Sequence, residues 1–90
     1  MKKLDLNYYN SELENINESV NWIESKLQNI SEILELLEEK LISSLDLEER
    51  QIIEERICRL ISDHNYLIVQ LRQEKSRTDS LMRQFVAEML

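Results

Sequence analysis

Leu13, Ile16, Val20, Ile23, Leu27, Ile30, Leu34, Leu37 and Leu41 follow one another at alternating steps of three and four residues. That spacing keeps all of them on one stripe of an α-helix, so the stretch is a long helix with a face to bury. Leu6 and Tyr9 lie seven and four residues before Leu13 and extend the stripe, placing the helix start near Asp5. Ser11-Glu12-Leu13-Glu14 has the form of a capping box and marks a competing start. The first helix is thus expected over about residues 5–42.

Around Ser43-Ser44-Leu45-Asp46 the stripe stops, and Asp46 with Glu49 three residues on gives a further capping-box pattern. Beyond it Ile53, Ile57, Leu60, His64, Leu67 and Leu71 restore the spacing, and the register continues through Glu74 and Thr78 to Leu81 and Phe85. A second helix is expected over about residues 47–89. The polar stretch Arg72–Ser80 leaves room for a break near 76–80, which would free Leu81–Leu90 as an apolar tail.

An antiparallel hairpin pairs residues whose numbers add to a constant, so the two stripes can be checked against each other. Leu37 meets Ile53, Leu34 meets Ile57, Ile30 meets Leu60, Leu27 meets His64, Ile23 meets Leu67 and Val20 meets Leu71, all adding to 90 or 91. The turn then centres near Leu45, where the capping signals independently put it. Continuing the register sets Ile16 against Glu74, Leu13 against Thr78, Tyr9 against Leu81 and Leu6 against Phe85. The fold class is all-α, a single long antiparallel helical hairpin spanning residues 1–90. Composition agrees, because Gly 0 and Pro 0 remove the residues that build tight turns and flexible linkers.

Two helices need only a narrow apolar stripe, and this chain has more. Leu47, Ile61, Ile68, Met82 and Met89 form a heptad column beside the second stripe, while Trp22, Ile33 and Leu36 cluster off the first. Such width is what three- or four-helix packing requires. A homodimer forming a four-helix bundle is expected, with docking onto the helices of another protein as the alternative. The residues expected at the partner or dimer interface are Tyr8, Tyr9, Trp22, Ile33, Leu36, Ile61, Ile68, Leu81, Met82, Phe85, Val86 and Met89.

No chemistry-bearing motif competes with this reading. His64 is the lone histidine and has no Cys or His three or four residues away to share a metal. A ferritin-like centre needs a Glu-x-x-His pair, and the position three before His64 is Ile61. Cys58 has no His or Lys placed to activate it. No catalytic residue, cofactor or metal is therefore expected. The formal net charge of −7 argues against a nucleic-acid surface, and the basic stretch of Arg72, Lys75, Arg77 and Arg83 is interrupted by Glu74 and Asp79. The longest apolar runs are a few residues, too short for a membrane span or a signal-peptide core. A single cysteine fits a reducing cytoplasm.

In size, acidity and paired amphipathic helices the chain resembles the small chaperones of flagellar and related type III export systems, with Arg56–Met82 similar to their second hairpin helix. The resemblance covers about a third of the chain and implies a non-enzymatic role in capturing helices of other proteins. The expected function is an interaction module acting through helix packing: an adaptor, assembly factor or export-type chaperone. The alternative is a small acidic inhibitor, anti-sigma-like or anti-defence in type, whose acids around Glu32–Glu39 mimic nucleic acid.

Overall fold

The computed structural model describes residues 5–90 and consists of two helices, α1 (Leu6–Ser43) and α2 (Leu47–Met89), laid antiparallel along one another. The rod they form measures 71 × 15 × 13 Å. α1 starts at the earlier of the two signals read from the sequence, and α2 at its single capping signal. The Asp5 carboxylate accepts from the Tyr8 N–H at 3.1 Å and caps α1, so Ser11 lies inside the helix. The Asp46 carboxylate accepts from the Glu48 N–H at 3.1 Å and caps α2, where Glu48 and Glu49 also oppose the positive end of the helix dipole.

The turn shows how a chain without glycine reverses direction. Among the described residues none has positive φ; Ser44 and Asp46 adopt extended backbone instead, at φ −81°, ψ 130° and φ −85°, ψ 123°. Two carbonyls in the last turns of α1 gain local partners at the turn. Ser44 N–H donates to Lys40 O at 2.9 Å, and the Ser43 hydroxyl reaches Glu39 O at 3.0 Å and Lys40 O at 3.2 Å.

Writing each stripe as positions a and d of a heptad gives the packing a simple rule. In α1 the d row is Tyr9, Ile16, Ile23, Ile30 and Leu37, and the a row is Leu13, Val20, Leu27, Leu34 and Leu41. In α2 the d row is Ile53, Leu60, Leu67, Glu74 and Leu81, and the a row is Ile57, His64, Leu71, Thr78 and Phe85. Among the described residues every buried hydrophobic side chain is in a d row: Tyr9, Ile16, Ile23, Leu37, Ile53, Leu67 and Leu81. Every a residue of these rows is half-buried. The d edge of the seam, where Ile30, Leu60 and Glu74 are half-buried, is thus the better covered and the a edge the more open.

The flanking columns account for the difference. Position g lies beside d, and there Glu12, Ser19 and Gln70 are themselves part-covered and fold over the seam. Position e lies beside a, and on α1 that column holds the short or charged Asn10, Asn17, Glu24, Ser31 and Glu38, all exposed. Only the part-covered Ile68 of the α2 e column adds cover beside the a rows.

One alternative that the sequence left open is excluded. The helix break near 76–80 does not occur; α2 runs unbroken to Met89. Its polar stretch satisfies itself within the helix. Arg77 donates to both oxygens of Glu74 at 3.0 Å and lies 3.8 Å from Glu12 of α1, while the Thr78 hydroxyl returns to Glu74 O at 3.2 Å. At the open end the expected register holds: Tyr9 and Leu81 share one buried cluster, Phe85 packs on Tyr9 with ring centroids 5.1 Å apart, and Leu6 lines a groove with Phe85. Leu6, expected to cover Phe85, is left 55% exposed.

Candidate interaction surfaces

The residues expected at an interface separate into three groups. Tyr9 and Leu81 are buried in the hairpin, where with Ile16 they form a core cluster that Leu13, Val20 and Phe85 pack against. These three of the expected residues, Tyr9, Leu81 and Phe85, close the open end of the hairpin. Their aromatic rings meet edge to face, Tyr8 on Tyr9 at 5.3 Å and Tyr9 on Phe85 at 5.1 Å. The Tyr9 hydroxyl is shut off from solvent and makes no well-formed hydrogen bond. Burial, and after it the nearby Glu88 carboxylate, pushes its phenol up to about 12.

The second group lies on the closed, g-side face. Tyr8, Trp22 and Leu36 occupy position c of α1 and Ile33 position g, and all are exposed, Trp22 by 56% and Leu36 by 60%. Trp22 and Ser19 share a shallow groove with Gln70, Gln73 and Glu74 of α2, which fixes this face as the one that also carries the Glu12–Arg77 pair. Lys26 Nζ stands 5.7 Å from the centroid of the Trp22 ring, and Gln70 donates to the Tyr66 hydroxyl at 3.0 Å. The c column of α1 reads Tyr8, Asn15, Trp22, Asn29, Leu36, Ser43, without a charge, in a chain that is 32% charged. On α2 the same face adds Ile52 and Tyr66, both exposed, which the sequence reading did not select. Their common heptad position was the signal that could have found them.

The third group lies on the opposite, e-side face. Ile61, Ile68, Met82 and Met89 are at position e of α2 with Val86 beside them, and only Ile68 is part-covered. A groove at this face joins Met82, Leu81 and Phe85 to Leu6, Asn10 and Leu13 across the seam. Here the half-buried a rows run beside the e column of α2, whose apolar Leu47, Ile61, Ile68, Met82 and Met89 are interrupted by the exposed Glu54 and Lys75. Trp22 and Met82 therefore cannot share a single docking patch. At the turn Ile42, Leu45 and Leu47 add an apolar tip, Leu45 being 98% exposed.

Among the described residues no three of His, Cys, Asp and Glu converge on a point that could hold a metal. His64 is half-buried in the seam and Cys58 is exposed. No helix is long and apolar enough to cross a membrane. No protein-family model, curated protein or solved structure matches the chain. What the geometry defines is a helical hairpin with two opposite apolar faces and no assembled chemical site among its described residues.

Proposed function

We propose that this hairpin is a non-enzymatic interaction module that works by helix-to-helix packing, in the manner of an adaptor, assembly factor or chaperone, in the cytoplasm where its lone exposed Cys58 stays reduced. One observation carries the reading: most of the apolar side chains that the fold leaves uncovered lie on two opposite faces of the rod, with Val69 on its outer side and Ile42 and Leu45 at the turn. Exposed apolar side chains grouped on one face of a small chain mark docking surfaces. Two such groups on opposite sides let one hairpin hold two helical partners at once, which is the geometry of a bridge. Trp22 and Leu36, large, uncovered and free of charged neighbours in their column, are the anchors expected to carry most of the binding energy on their face.

Affinity capture from the native cell tests this with the wild-type chain, Trp22→Glu and Met82→Glu side by side. Each substitution alters an exposed residue, so the helicity of all three should match. A specific partner should be lost with Trp22→Glu and kept with Met82→Glu. A partner retained by both variants would overturn the assignment of the Trp22 face.

A second reading has its own observation. Glu32, Glu35, Glu38 and Glu39 are all exposed and, among the described residues, none is ion-paired. A free acidic run of this kind is what an inhibitor mimicking nucleic acid would present to a basic protein. Raising salt separates the two readings: acid-mediated capture weakens steeply, whereas apolar docking does not.

A further inference from the structure

The open e-side face carries a charge pattern that names its occupant. At intervals of seven, the e column of α2 reads Leu47, Glu54, Ile61, Ile68, Lys75, Met82 and, at the end of the helix, Met89, which overhangs the register argued here. Laid antiparallel on a second copy of itself, this column has one register in steps of seven that matches apolar to apolar and acid to base. That register, with numbers adding to 129, sets Leu47 on Met82, Glu54 on Lys75 and Ile61 on Ile68. Sliding one heptad either way puts Ile61 on Lys75 or Leu47 on Lys75. A parallel overlay in register puts Glu54 on Glu54 and Lys75 on Lys75, like charges face to face.

We propose that a second copy of this chain covers the open face, α2 against α2 and antiparallel, in the register that pairs Glu54 with Lys75 of the other copy. This deepens the interaction-module reading by assigning one of its two faces to self-association and leaving the Trp22 face to a different partner. The neighbouring b column follows without conflict, since Asn65 meets its own copy at the two-fold axis and Cys58 faces Arg72. The same arrangement explains the apolar tip. It brings Leu45 and Leu47 of each copy, 98% and 82% exposed, to the end of the other copy that carries Met82 and Val86. The contact is isologous and closes as a dimer, with two Glu54–Lys75 pairs across it. A parallel overlay staggered by three heptads also matches the charges, but it is head-to-tail and would propagate into open fibres.

Sedimentation equilibrium and the native Cys58 together test the proposal. The wild-type chain should run at twice its 10.8 kDa mass at tens of micromolar, without larger species. Glu54→Lys and Lys75→Glu should each weaken the dimer by roughly tenfold or more, since each reversal sets like charges together at both ends of the interface. The double reversal should restore affinity to within about threefold of wild type. Both positions are exposed, so circular dichroism should show unchanged helicity in all three variants. Spin labels on Cys58 should lie roughly 23 Å apart, from about 14 residues of offset at 1.5 Å each and a helix spacing of about 9 Å. A monomer at about 100 μM would overturn self-pairing while leaving the interaction-module reading to the capture experiment. An absence of rescue, a label separation near 10 Å, or growth beyond the dimer would overturn the register.

Discussion

Tyr9 and Phe85 meet edge to face across the open end of the hairpin, with ring centroids 5.1 Å apart and planes at 83°, and the packing leaves the Tyr9 hydroxyl sealed without a well-formed hydrogen bond. A buried polar group left without a partner is a liability that its apolar isostere lacks. Tyr9→Phe should therefore melt at or above the wild-type temperature. It should also change the alkaline limit of stability. The folded phenol is held up to about 12, against an ordinary value of 10.0, so below pH 10 its contribution is fully present. As pH rises from 10 toward 12 the unfolded chain releases this proton while the folded chain keeps it, and stability falls. The loss should be absent from Tyr9→Phe, and denaturant midpoints of the two proteins at pH 8, 10 and 11.5 measure the difference. Parallel curves would show that Tyr9 titrates alike in both states.

The division of the seam into a better covered row and a more open one makes a second prediction. Ile23 is 3% exposed in the d row, and Leu27, one step along the same helix, is half-buried in the a row. Ile23→Ala should cost about 3 kcal/mol at any protein concentration. Leu27→Ala should cost clearly less in dilute solution, and its cost should grow with concentration as the second copy covers it. Urea melts at about 1 μM and 100 μM decide this. Equal, concentration-independent costs would mean that the two rows are buried alike.

Glu74 is the one acid in the seam, and Arg77 holds it from the next turn of the same helix while reaching Glu12 on α1. Most of that pair's exposure is on the arginine, so its net value is small and its removal leaves a part-covered carboxylate short of a partner. Arg77→Ala should destabilise by about 1 kcal/mol, whereas Glu74→Leu, which fills the seam with an apolar side chain opposite Ile16, should stabilise the hairpin. Thermal melts of the two variants check the signs. A destabilised Glu74→Leu would mean that the acid contributes more than its packing volume.

The hairpin was legible from the sequence because the alternation of three and four is a property of the helix itself, and the capping side chains of Asp5 and Asp46 lie within a turn of what they cap. The continuity of α2 was harder to read, since composition alone does not show that Arg77 chelates Glu74 and that the Thr78 hydroxyl returns to the backbone. The division into two faces was not legible from single stripes at all. It depends on which flanking column of α1 lies beside which column of α2, and that relation appears only once Glu12 is seen next to Arg77, and Asn10 in the same groove as Met82. For the same reason Trp22 and Met82, both rightly read as lying off the seam, were grouped as one interface although they point to opposite sides of the rod.

Trp22 is the lone tryptophan and lies on the face away from the α2 column, so its emission reports directly on whether the two apolar faces act separately. Its fluorescence maximum and iodide quenching should be followed over a dilution series that carries the chain from dimer to monomer. The spectrum should stay that of a solvent-exposed indole at every concentration, because self-association covers the opposite face, and it should shift to the blue only when a partner isolated by capture is added. A blue shift that grows with protein concentration alone would place the second copy on the Trp22 face and contradict the division of the hairpin into a self-pairing face and a partner-binding one.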